Sequence, residues 1–118
     1  MATVWLVGCA LCGVNPSVAS DDQFQRLSAA EIRTTIVGNV VTDESHWSDR
    51  FETSGSLRAI ELGHEKRGTW TIEGDELCMK RETRERVTEC YEIWLYKNEV
   101  EYRRDGVTVA VGVVRKPR

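Results

Sequence analysis

The segment GTWTIEGDELC at residues 68–78 decides the fold class. Its first half alternates apolar and polar residues with the period of a half-buried β-strand, which places Trp70 and Ile72 on one face. Glu73, Gly74 and Asp75 are turn residues, and a second apolar stretch that ends at Cys78 follows them. The segment therefore predicts an antiparallel hairpin in which Trp70 and Ile72 are core anchors.

The chain downstream of Asn39 repeats this pattern of short strands and turns. Alternating runs are separated by turn residues at intervals of about 8–12 residues, which is typical of an antiparallel meander. The longest run is VTECYEIWLY at residues 87–96. The last run is VTVAVGVV at residues 107–114, in which alternate valines are expected to line one face (Val107, Val109, Val111 and Val113).

Upstream of these runs, the segment LSAAEIRTTIVGN at residues 27–39 has the features of a short helix. Ser28 and Glu31 have the S-x-x-E spacing of a capping box, and the segment ends in Gly-Asn, as helix C-termini often do. The sequence therefore predicts a mainly β domain. We expect an antiparallel meander sheet or a small barrel of about 7–8 strands, with one short N-terminal helix.

Aromatic residues are numerous for a domain of this size. We expect Trp47, Phe51 and Trp94 to be core anchors together with Trp70, because large aromatic side chains contribute most by being buried. An aromatic-lined ligand groove is the alternative use of such residues.

The hairpin at residues 76–92 predicts a disulfide bond. If the chain folds back about Arg84, Cys78 stands directly opposite Cys90. Opposite residues of an antiparallel pair have Cβ atoms about 4.5–5.5 Å apart, which is close to the geometry that a disulfide needs. Two unbonded buried thiols are the alternative.

The first twenty residues contain none of the 16 Lys and Arg or 19 Asp and Glu residues of the chain. An apolar run at residues 4–14 is followed by SVAS, whose small residues are typical of a signal-peptidase site. We therefore expect a signal peptide at residues 1–20, cleaved between Ser20 and Asp21. A buried first element is one alternative, and a lipoprotein acylated on Cys9 of LVGC is another.

Removal of this segment would leave a single β-rich domain at residues 21–118, folded over about residues 27–114, in the periplasm or outside the cell. Its apolar run is too short to span the roughly 30 Å of bilayer hydrocarbon, so we expect no stable membrane span after processing. The net charge of −3 and the interleaved basic residues argue against nucleic acid as a partner. An envelope protein or a small ligand remains as the expected partner.

No pattern of a catalytic, metal or cofactor site is present in the sequence. Neither a G-x-S-x-G elbow nor a phosphate-binding loop occurs. His46 lies among Asp43, Glu44 and Asp49, but this acidic cluster lacks the ligand spacing of a calcium loop, and His64 lies in a polar turn. Cys78 and Cys90 alone do not make a zinc site. We therefore expect no catalytic residues, no metal and no cofactor.

The motifs together resemble a family of small exported bacterial proteins of unknown function. The resemblance covers residues 27–114 and rests on the helix segment, on Trp47 and Phe51, on GTWTIEGDELC, and on CYEIW at residues 90–94. It implies a secreted or periplasmic β-domain and brings no activity with it. The G-x-W at Gly68 to Trp70 bears a looser resemblance to lipocalins and related barrels.

These observations favour a non-enzymatic binding or interaction module of the cell envelope. A small-barrel inhibitor of a protease or lysozyme is the first alternative, and a hydrolytic enzyme is the second. A concave pocket with convergent titratable groups would favour the enzyme. An exposed apolar patch would favour the inhibitor.

Overall fold

The computed structural model describes residues 23–118. The predicted signal peptide, its Ser20–Asp21 cleavage site and Cys9 lie outside the described residues. The elements follow one another as β1 (Gln25–Arg26), α1 (Ala29–Thr35), β2 (Val40–Thr42), β3 (Trp47–Phe51), β4 (Ser56–Glu61), β5 (His64–Glu73), β6 (Glu76–Arg81), β7 (Thr88–Tyr96), β8 (Glu99–Arg104) and β9 (Val107–Arg115).

Strands β2 to β9 form a closed antiparallel barrel of eight strands. Each strand pairs with the next in the chain, and β9 returns to pair with β2. The short β1 lies beside β7 beyond the end of β6, where Gln25 stands opposite Leu95. The prediction of a mainly β fold with one short helix is confirmed, and of the two expected arrangements the chain adopts the barrel.

Helix α1 packs on one end of the barrel. Its capping box is formed: the Ser28 hydroxyl accepts a hydrogen bond from the Glu31 N–H, and the Glu31 carboxylate accepts one from the Ser28 N–H. The Ala29 N–H donates to Asp75 Oδ1 at 2.8 Å, which ties the helix to the β5–β6 turn. Ile32 and Ile36 are fully buried, so the apolar face of the helix covers this end, hereafter the closed end.

The core lies between α1 and the inward-facing residues of the strands. Trp70 and Phe51 are buried and meet edge to face, with ring centroids 6.5 Å apart. The Trp70 indole N–H donates to the Glu52 carbonyl at 2.8 Å, which satisfies its one polar group. Trp47 and Ile72 are partly buried and pack against this core.

Trp94 does not belong to the core, contrary to the prediction. Ile93 of the same strand is fully buried, and because successive side chains of a strand point to opposite faces, Trp94 faces outward. There its ring lies 4.1 Å from the Arg103 guanidinium, and its indole N–H donates to Glu92 Oε1 at 2.9 Å. The indole therefore contacts the Arg103 guanidinium on the outer face of the barrel and not the barrel interior.

The predicted disulfide bond between Cys78 and Cys90 is confirmed. The two residues stand opposite each other in the ladder between β6 and β7, in the register that a hairpin centred on Arg84 requires. Leu77 and Met79, on either side of Cys78, belong to the core cluster, and successive side chains of a strand point to opposite faces. The disulfide therefore cross-links the hairpin on the outer face of the barrel.

A β-bulge interrupts the predicted valine face of β9. Tyr102 stands opposite Ala110 and Arg103 stands opposite Thr108, so Val109 is an extra residue on β9. The regular alternation expected from residue 107 to residue 113 therefore breaks at this point.

Candidate binding site at the open end of the barrel

The end of the barrel opposite α1 has an incomplete wall. Strand β2 stops at Thr42, which stands opposite Val113, and the chain then turns back into β3. Among the described residues, the stretch Val107–Gly112 of β9 therefore has a ladder partner only on β8. We call the opening between this stretch and the ends of β3 and β4 the side slot.

Asp43 organises the turn that ends β2. Its Oδ1 accepts hydrogen bonds from the N–H groups of Ser45, His46 and Trp47 at 2.7–3.0 Å, and its Oδ2 contacts His46 Nδ1 at 3.0 Å. The His46 N–H contributes most to holding the pKa of Asp43 well below its usual range. The acidic cluster noted around His46 is thus a structured turn, and only Asp43 of its carboxylates touches the imidazole.

The side slot opens into a cavity of about 410 Å³. Its walls are largely apolar and aromatic, and they come from β3, β7, β8, β9 and the β4–β5 turn (Trp47, Leu62, Tyr91, Tyr102, Val109 and Ala110). Its polar side chains include Asp49, Glu61 and Arg81. Apolar walls with a few convergent polar groups are typical of ligand sites, and barrel mouths are among their usual places.

Three aromatic rings form one continuous wall of the cavity. Tyr91 and Tyr102 are stacked with ring centroids 5.4 Å apart, and Trp47 lies 5.9 Å from Tyr102. The Arg104 guanidinium covers Tyr91 at 4.7 Å. Gly112 leaves room for Trp47, because a Cβ at that position would lie 3.1 Å from the indole and 2.7 Å from the Thr42 carbonyl oxygen.

A buried charge pair forms the floor of the cavity. Asp49 is 2% exposed, and its two oxygens accept hydrogen bonds from the Arg81 guanidinium at 3.0 and 3.4 Å. The Tyr102 hydroxyl donates to Asp49 Oδ2 at 3.1 Å. Burial, with the Asp49 charge, raises the pKa of Tyr102 well above its usual value, so the phenol stays protonated. Burial lowers the pKa of Arg81, but the hydrogen bond and charge of Asp49 outweigh it and raise that pKa.

The charged groups differ in what they can offer a ligand. Both oxygens of Asp49 are occupied, so this carboxylate serves to fix Arg81 and Tyr102. Glu61 is partly exposed at the cavity wall, with Lys66 Nζ at 3.7 Å and Arg81 Nε at 4.0 Å. Glu61 and the outer side of Arg81 are therefore the polar groups best placed to meet a bound molecule.

Of the predicted core anchors, only Trp47 lies at this site. The sequence pattern suggests Asp49 only as a member of the acidic cluster around His46, and it does not suggest Glu61 or Arg81. One signal was available: Asp49 lies between Trp47 and Phe51 in an alternating strand, so a charged residue shares their face. Arg81 likewise continues the inward face of Leu77 and Met79. An inward-facing acid and base on two strands of one barrel indicate a buried pair.

One group of potential metal ligands occurs among the described residues, formed by Glu73, Cys78 and Cys90 within 4.8 Å of one another. Both sulfurs are joined in the disulfide and lack the thiolate charge that metal binding requires. The group therefore carries no argument for a metal ion.

Within residues 23–118, no helix has both the length and the apolar character that crossing a membrane requires.

No protein-family model, curated protein or solved structure matches this chain. The resemblance to exported bacterial proteins of unknown function therefore stays a prediction from the sequence motifs.

Proposed function

We propose that the protein is a non-enzymatic binding module and that the side slot binds an apolar or aromatic group of its ligand. The observation that carries this proposal is the aromatic wall of Trp47, Tyr91 and Tyr102 around an open cavity of about 410 Å³. At the closed end the same barrel is filled by its own side chains. A cavity left open above a filled core is typical of a ligand site.

The polar groups suit a ligand that is neutral or carries both charges. Asp49 and Arg81 neutralise each other, and Glu61 lies near Lys66 and Arg81. A hydrogen-bond donor of the ligand would meet Glu61, and an acceptor would meet Arg81. A strongly charged ligand would disturb these pairs.

The cell envelope or the exterior of a bacterium is the proposed location. The disulfide between Cys78 and Cys90 supports it, because such bonds persist in oxidising compartments. Intact-mass measurement of the exported protein is expected to show a chain that begins at Asp21. A lipid on Cys9, or retention of residues 1–20, would contradict this processing.

Inhibition of a protease or lysozyme is a second candidate function. Leu62 is 74% exposed at the tip of the β4–β5 turn, directly beside the slot. An apolar side chain presented on a tight turn suits insertion into a partner protein. The hydrolase alternative finds less support, because Asp49 and Arg81 are paired with each other.

Binding of indole and of N-acetyltryptophanamide, followed by amide chemical shifts in ¹H–¹⁵N spectra, tests the pocket. We expect the shifts to concentrate on Trp47, Glu61 and Ala110. Ala110→Trp should fill the cavity and weaken binding by at least about tenfold. The matched control Thr108→Trp, on the exposed outer side, should bind normally. Absence of binding, or equal binding by the two variants, would refute the site.

A further inference from the structure

We propose that the group bound in the side slot belongs to an extended segment of another protein, which pairs as an additional strand with the open edge of β9. This inference rests on the proposed function, because it uses the same slot. It assigns the ligand to a chemical class, a polypeptide in β conformation with an aromatic side chain that enters the cavity.

The direction of the backbone groups on β9 supports this pairing. The Val114 N–H donates to the Asn98 carbonyl at 2.9 Å, toward the β8 side. Because alternate residues of a strand point their N–H groups the same way, Gly112 also points to β8, whereas Val113 and Val111 point to the β2 side. Thr42 stands opposite Val113, but among the described residues none stands opposite Val111 on that side. The N–H and carbonyl of Val111 are therefore placed to pair with an incoming strand.

The side chains of this edge lack the usual protection against pairing. Val107, Val109 and Val111 are 61, 50 and 52% exposed, and no charged residue occurs between residues 107 and 114. Exposed edges usually carry Lys, Pro, inward charges or a bulge that discourages strand addition. Of these devices the stretch from residue 107 to residue 112 has only the bulge at Val109, which precedes Val111 by two residues. An uncharged edge beside a pocket matches the way in which β-augmenting domains bind peptides.

The shape of the slot selects the kind of partner. His46, Trp47 and Leu62 line the cavity together with Val109 and Ala110 of β9. The edge of a second barrel would bring its neighbouring strands against these side chains, whereas a single extended chain would not. Successive side chains of a docked strand would point in opposite directions, one into the cavity and the next outward beside Val111.

The register predicts which amides of the peptide matter. Directly opposite residues of an antiparallel pair share a face, and Val111 lies on the outer face with Glu101, its partner on β8. The peptide residues that exchange hydrogen bonds with Val111 are therefore those whose own side chains point outward. The residues that enter the cavity direct their amides away from β9.

A blocked peptide, acetyl-TVTWTVTKK-amide, tests the proposal by calorimetry. In its docked form tryptophan and valine face the cavity and threonine faces outward. We expect binding at least about tenfold tighter than that of N-acetyltryptophanamide. N-methylation of the two threonines beside the tryptophan should remove this gain. N-methylation of the two valines is the matched control and should preserve it.

Two protein variants complete the test. Val111→Pro removes the edge N–H without touching the bonds to β8, and should reduce peptide binding to the level of N-acetyltryptophanamide while leaving the latter unchanged. Val111→Thr keeps the N–H and should bind the peptide normally.

The outcomes separate this inference from the proposed function. Binding of N-acetyltryptophanamide without a peptide gain, or a gain insensitive to threonine methylation, would overturn strand pairing and leave the pocket intact. If neither N-acetyltryptophanamide nor the peptide binds, the pocket and the strand pairing are both refuted. A concentration-dependent dimer in sedimentation, abolished by Val111→Pro, would identify a second copy as the occupant and would also overturn the inference.

Discussion

The two ends of the barrel use the same strands for different purposes. At the closed end, the inward positions of β3 and β4 are Phe51 and Leu57, which are fully buried in the core cluster that also contains Ile32 of α1. At the open end of the same strands, the inward positions are Asp49 and Glu61 beside an aromatic wall. The same strands therefore contribute to the core at one end and to the candidate site at the other. Stability depends on buried apolar side chains at the closed end and on the buried pair of Asp49 and Arg81 at the open end.

The largest expected effect is at the closed end. Trp70→Ala should destabilise the fold by about 3–5 kcal/mol, because it removes a buried indole that packs against Phe51. Urea unfolding measures the change, and Trp94→Ala on the outer face is the matched control with a smaller expected loss. A fall in melting temperature of less than a degree or two for Trp70→Ala would contradict the assignment of Trp70 to the core.

At the open end, Asp49→Ala should destabilise the fold by about 3 kcal/mol, because it leaves the Arg81 guanidinium and the Tyr102 hydroxyl without their shared acceptor. The double variant Asp49→Ala with Arg81→Met should recover part of this loss, since it removes the unpaired charge as well. Urea unfolding of the wild type, of Asp49→Ala, of Arg81→Met and of the double variant completes the cycle. A double variant as unstable as the sum of the single variants would show that the two residues do not act as a pair.

The disulfide staple on the outer side of the barrel should contribute less. Replacing Cys78 and Cys90 by Ser opens a short loop and should cost about 2–3 kcal/mol. Because the bond joins β6 to β7 away from the slot, binding of N-acetyltryptophanamide by the folded variant should be unchanged. A large loss of binding at temperatures where the variant is folded would show that the staple also shapes the cavity.

The smallest expected effect is the acid dependence of the β2–β3 turn. The pKa of Asp43 is lowered in the folded state, so the stability it contributes is present above its unfolded pKa of about 3.9 and is lost as the pH falls below that value. Asp43→Asn should therefore reduce the difference between the unfolding midpoints measured at about pH 6 and at about pH 3. An unchanged difference would assign the acid sensitivity to other carboxylates.

Much of the fold was predictable because its signals are local. The capping box at Ser28, the turns between strands and the opposition of Cys78 and Cys90 depend on residues close together in the chain. The size of Trp94 predicts burial, but its place in an alternating strand puts it on the face opposite the buried Ile93. The sequence pattern does not predict the β9 bulge, since the bulge depends on the pairing with β8.

Periodicity, capping and turn chemistry act over a few residues, so the strand content, the helix and the register of the disulfide hairpin can be predicted from the chain alone. Only the folded barrel shows that the meander closes, that Asp49 meets Arg81 and Tyr102, and that β2 stops short of Val111. These contacts join residues distant in the chain, and they form only when the eight strands close into one barrel. The candidate site belongs to this second class, because it is the part of that wall that the strands leave open.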